Sequence, residues 1–73
     1  GMVQIQITGN PLGRNGIEDW LLNELKADAL VIGAISVGPE TTEIEVHISK
    51  AELALKALNA KPVGGEKVEA TVL

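Results

Sequence analysis

Seventy-three residues, ten of them acidic and six basic, with net charge −4 and no cysteine, confine this chain to one small domain and exclude a disulfide framework or a thiolate metal site. A domain of this size buries only about 60% of the surface its unfolded chain exposes, and its core supplies roughly 3 to 5 kcal/mol net, so a larger polypeptide or an oligomer is its expected setting. The acidic balance has the wrong sign for binding nucleic acid mainly by neutralising phosphates, and the six cations, Arg14, Lys26, Lys50, Lys56, Lys61 and Lys67, form no run.

The longest apolar stretch, Ala29 to Ile35, is broken by Gly33 and is far shorter than the roughly 20 residues that cross a bilayer. No basic segment leads into an apolar one at the N-terminus, so neither a membrane span nor a signal peptide is read and a cytoplasmic location is expected. Gly1-Met2 fits a tag remnant or disordered start ahead of a domain over residues 3–73, although Met2 could equally be internal.

Val3 to Thr8 alternates apolar and polar residues, placing Val3, Ile5 and Ile7 on one face of a strand and Gln4, Gln6 and Thr8 on the other. Gly9 to Gly16 collects residues that break regular structure. Asn15 with Glu18 fits a capping box at the start of a first helix, whose stripe of Ile17, Leu21 and Leu25, with Trp20 beside it, packs inward. Leu30 to Val37 is short, β-branched and followed by Gly38-Pro39, as expected of an interior strand. Thr41 to His47 alternates again, with Ile44 and Val46 inward.

Ser49 and Glu52 form a second capping box, with Ile48 and Leu53 placed as a hydrophobic staple. Leu53, Ala54, Ala57 and Leu58 make the apolar stripe of a second helix, which Pro62 ends. The Gly64-Gly65 turn then leads into a last strand, Lys67 to Leu73.

The order strand, helix, strand, strand, helix, strand predicts an α+β, ferredoxin-like βαββαβ fold, a four-stranded antiparallel sheet with two helices on one face. The opposite face is expected to carry Gln4, Gln6, Thr41, Glu43, Glu45, His47, Glu69 and Thr71. All eight are polar.

Ala54 to Val68, an alanine-rich helix ending in Leu58-Asn59 before a glycine turn and a strand, resembles the closing part of RNA-recognition motifs. A closer resemblance, from Ile32 through Thr41–Val46 to Leu73, is to the DbpA-type RNA-binding domain at the C-terminus of DEAD-box RNA helicases. The first half is similar only as a strand, a glycine-containing loop and a helix. The resemblance implies a non-catalytic RNA-binding module, with a helicase core as a possible companion in the same chain.

Departures from that pattern are informative. RNA-recognition motifs stack splayed bases on exposed aromatics of the two central strands. Here Gln6 stands at the matching position of the first strand and Thr41 and Glu43 at those of the third, and none can stack. Ala60 replaces the usual glycine after the helix. Nucleic-acid contacts are therefore expected at Gln4, Gln6, Asn10, Arg14, Thr41 and Lys67, with the weight on the loops and helix ends near Asn10, Arg14 and Lys67.

No catalytic, cofactor or metal site is read. His47 lacks a partner at ligand spacing and is expected to be a surface residue at a strand end. Glu43 and Glu45 share a face, as paired acid–base carboxylates would, but fit a solvated strand that resists aggregation. The Gly9–Gly16 loop could cradle an anion, yet lacks the glycine spacing and Lys-Ser/Thr ending of nucleotide-binding loops. Trp20 is expected in the core rather than as a stacking platform. An alternative is an ACT-like regulatory or protein-interaction domain, which Ile35 to Glu40 resembles; it would use the acidic open face or oligomerisation.

Overall fold

The computed structural model describes all residues, 1–73. Its elements are β1 (Met2–Thr8), α1 (Gly13–Leu25), a 3₁₀ turn (Ala29–Val31), β2 (Ile32–Val37), β3 (Thr41–His47), α2 (Ile48–Ala60) and β4 (Glu69–Val72). They form one antiparallel sheet in the order β2-β3-β1-β4. This is the predicted βαββαβ arrangement.

Alternation along the two central strands decides which side is covered. Ile5 and Ile7 of β1 and Ile44 and Val46 of β3 are fully buried beneath Ile17 and Leu21 of α1 and Ala54 and Leu58 of α2. Trp20 is partly buried and packs against this cluster, as expected. Only 14 residues are buried, so each carries a large share of the stability.

The helix starts differ from the sequence reading. α1 begins two residues before Asn15, and the residue ahead of it, Leu12, provides no side-chain cap. The entry is instead organised by Asn10, whose Oδ1 accepts from the Leu12 N–H at 3.0 Å while its Nδ2 donates to the Gly13 carbonyl at 3.3 Å. An Asx turn ahead of the helix thus replaces the capping box. α2 is capped by His47, whose Nδ1 accepts from the Ser49 N–H at 3.2 Å and lies 2.8 Å from Ser49 Oγ. Ser49 is therefore the capped residue and not the cap.

The proposed staple is absent, since Ile48 is 63% and Leu53 is 53% exposed. The buried stripe of α2 is Ala51, Ala54 and Leu58, one turn-face away from Leu53. β2 is an edge strand and not the interior one expected, and it is shorter, because Ala29–Val31 winds into the 3₁₀ turn with Asp28 Oδ1 accepting from the Leu30 N–H at 3.0 Å. Met2 lies in β1, and the Gly1 carbonyl accepts from the Ile48 N–H, so the ordered chain starts ahead of residue 3.

The sheet edges are finished in different ways. Between Ile32 and Ile35 the ladder advances three residues on β2 but two on β3, which is a β-bulge. The Ala34 N–H donates to Glu45 Oε1 at 3.1 Å in place of a ladder acceptor. A side-chain carbon at Gly33 would meet the Glu45 carboxylate and come within 3.0 Å of Met2, so a larger residue there would have to displace the ends of both side chains. At the other edge Asn59 reaches across from α2, accepting from the Ala70 N–H at 2.9 Å and donating to its carbonyl at 3.0 Å. The amide of Asn59 acts there as a one-residue fifth strand.

Candidate functional site

The uncovered face of the sheet carries the residues the alternation assigns to it. Cross-strand rows run Ser36–Glu43–Gln6–Thr71, then Glu45–Gln4, then Thr41–Thr8–Glu69, with His47 opposite Met2 at the end of β1. Three of the predicted contact residues, Gln4, Gln6 and Thr41, therefore share one face. That face holds no phenylalanine, tyrosine or tryptophan, no lysine and no arginine, but three glutamates. It lacks the stacking platform of a base-binding sheet, and its charge opposes phosphate.

The carboxylates are not equivalent. Glu45 serves the backbone of the β2 bulge, whereas Glu43 accepts no hydrogen bond from the protein and takes part in neither ion pair. His47 is occupied by the α2 cap. No group of three or more histidine, cysteine, aspartate or glutamate side chains comes together in a metal-binding arrangement.

Asn10, among the expected contacts, is drawn into the fold. Besides ordering the α1 entry, its Nδ2 lies 3.3 Å from Oγ1 of Thr42, a hydroxyl that is buried among apolar residues with the residue only 2% exposed. Both ends of the amide are committed to structure. The same bonds occupy the loop proposed as an anion cradle.

Arg14 and Lys67 lie outside such networks. Arg14 is exposed in the first turn of α1 and Lys67 is exposed just before β4, and neither takes part in either ion pair. Pro11 and Leu12 press against Gly64, where an added side-chain carbon would sit 2.6 Å from Leu12 Cδ2 and where φ is +58°. The β1–α1 loop and the turn before β4 are thereby held together, bringing Arg14 and Lys67 to segments that touch.

Beside this junction Asn59, Ala60, Lys61, Pro62 and Lys67 line a shallow cleft of about 240 Å³. Lys61, absent from the sequence-level contact set, contributes a second cation there, but its Nζ lies 2.6 Å from Glu24 Oε1. Its field is partly neutralised. Only the fold reveals this pairing, because the end of α1, a 3₁₀ turn, two strands and all of α2 separate the two residues in sequence.

No family model matches the sequence, and no curated protein matches it. Among solved structures, a chain of the Chaetomium thermophilum Mex67:Mtr2 complex superposes with a TM-score of 0.74 at 18% identity, covering 100% of this chain and 94% of that one. The likeness extends over both molecules and concerns the fold alone.

Proposed function

We propose that this domain is a non-catalytic RNA-binding accessory module that contacts RNA at the loop junction and cleft marked by Arg14, Lys61 and Lys67, and not on its open sheet face. The carrying observation is that Pro11 and Leu12 pack against Gly64, joining the two segments that carry Arg14 and Lys67, with neither cation drawn into an ion pair. Arg14 and Lys67, free of internal partners, are available to phosphate directly, whereas Lys61 would exchange Glu24 for it. The C-terminal likeness to DbpA-type domains supports RNA as the ligand and a DEAD-box helicase core as the companion.

Titration with a hairpin RNA and with single-stranded RNA at low salt tests this reading. Amide shifts are expected around Arg14, Lys61 and Lys67, with Gln6 and Glu43 unmoved. Lys67→Gln should weaken binding and lower the slope of log affinity against log salt by about 1. A spectrum unchanged at saturating RNA refutes the proposal.

The acidic open face favours a second reading, a protein-interaction or ACT-like role in which a basic surface meets Glu43 and Glu69. In that case a basic peptide would shift Gln6 and Glu43, and RNA would not.

A further inference from the structure

The two outer strands of the sheet face solvent with unlike backbones. On β4, the Leu73 N–H donates to the Gln4 carbonyl, so with the register Gln6↔Thr71 and Ile7↔Ala70 the N–H and C=O of Ala70 point outward. Asn59 occupies both of them, leaving on this strand only the outward groups of Val72 without a partner. On β2, the Gly38 N–H donates to the Thr41 carbonyl at 2.8 Å, and with Ser36↔Glu43 and Ile35↔Ile44 in register the N–H and C=O of Ile35 and Val37 point outward. No helix, loop or side chain accepts from or donates to them. The β2 edge carries the unpaired row that folded domains usually blunt.

The usual protections flank Ile35–Val37 without lying on it, the bulge between Ile32 and Ile35 before it and Pro39 after it. Ile32 to Val37 contains no charged residue and no proline, and the bulge lies before Ile35, leaving Ile35–Val37 regular. Val37 is 49% exposed and lies on the helix-covered side, opposite buried Thr42. On a chain of net charge −4 most of the surface repels a second copy. This strand does not.

We propose that β2 is the site at which two copies of this chain pair, antiparallel, about a two-fold axis passing beside Ser36. That register sets Ile35 against Val37 of the second copy and Val37 against its Ile35, using all four outward groups of each strand in an isologous interface. Ile35 and Val37 then form apolar cross-strand pairs on the helix-covered side, and the two Ser36 residues face each other on the open side at a non-hydrogen-bonded position. The contact is small, so the dimer forms reversibly with concentration. It leaves Arg14, Lys61 and Lys67 free, and does not depend on the RNA reading.

Because the chain has no cysteine, Ser36→Cys introduces a single thiol at the proposed axis, where a non-hydrogen-bonded pair brings the Cβ atoms to within about 4.5 to 5.5 Å. Under mild oxidation Ser36→Cys should give a disulfide-linked dimer at least tenfold faster than Thr71→Cys, which sits on the same face but next to the plugged edge. In the unmodified protein the amides of Ile35 and Val37 should gain exchange protection as concentration rises, while Val37→Lys, at an exposed position, abolishes the dimer and keeps the unfolding midpoint. The proposal is overturned by equal cross-linking rates, by a wild-type chain monomeric in sedimentation up to about 1 mM, or by a dimer that survives Val37→Lys.

Discussion

The two sides of β1 and β3 are built from the same fourteen backbone positions, seven on each strand, yet they work differently. On the covered side Ile5, Ile7, Ile44 and Val46 are completely removed from water, and stability comes from apolar area and close packing. On the open side the side chains stay partly or fully hydrated, and those that matter act through single hydrogen bonds, Glu45 to the β2 bulge and His47 to the start of α2. The lesson is that a polar face can be structural without being a site.

The sharpest way to break this comparison is Ile44→Ala, which empties the centre of the covered side and should cost about 2 to 5 kcal/mol. Since a core of this size rarely supplies more than roughly 3 to 5 kcal/mol, the variant should be largely unfolded by circular dichroism at room temperature. A cooperative melt within a few degrees of the parent would show that the core lies elsewhere.

Asn10→Ala probes the one polar intrusion into the covered side. It leaves the Thr42 hydroxyl without its partner and unties the α1 entry, and a loss of about 1 to 3 kcal/mol is expected from urea denaturation. If Asn10 were instead a ligand contact, stability would hold and only binding would fall.

Gln6→Ala, on the open side of the same strand, should change stability by no more than about 0.5 kcal/mol. It should also leave RNA titration curves superimposable on those of the parent. A measurable loss of affinity would return the sheet face to the binding surface.

Much of this was legible in the sequence. Period-two alternation in Val3–Thr8 and Thr41–His47 assigned these residues to their sides apart from Thr42, a polar residue that the fold buries, because a strand has only two faces and one must be buried. The stripe of α1 was legible for the same kind of reason. The helix starts were not, since Asn15 and Ser49 match a local pattern that competes with alternatives a few residues away. His47 took the cap of α2 because the turn out of β3 already aims its imidazole at the Ser49 N–H, and Asn10 organised α1 because Thr42, thirty-two residues distant, offered its amide a buried partner.

Sequence by itself determined the order of elements, the covered and open sides, and the acidic character of the open one, because periodicity and charge are properties of neighbouring residues. Only the tertiary structure decided that Asn10 is bonded internally, that Lys61 faces Glu24 while Arg14 and Lys67 stay unpaired, and that Asn59 takes the outward groups of Ala70 at one edge of the sheet while those of Ile35 and Val37 stay open at the other. Those outcomes depend on which distant groups meet, and hydrogen bonds and ion pairs act only over the few ångströms that folding creates.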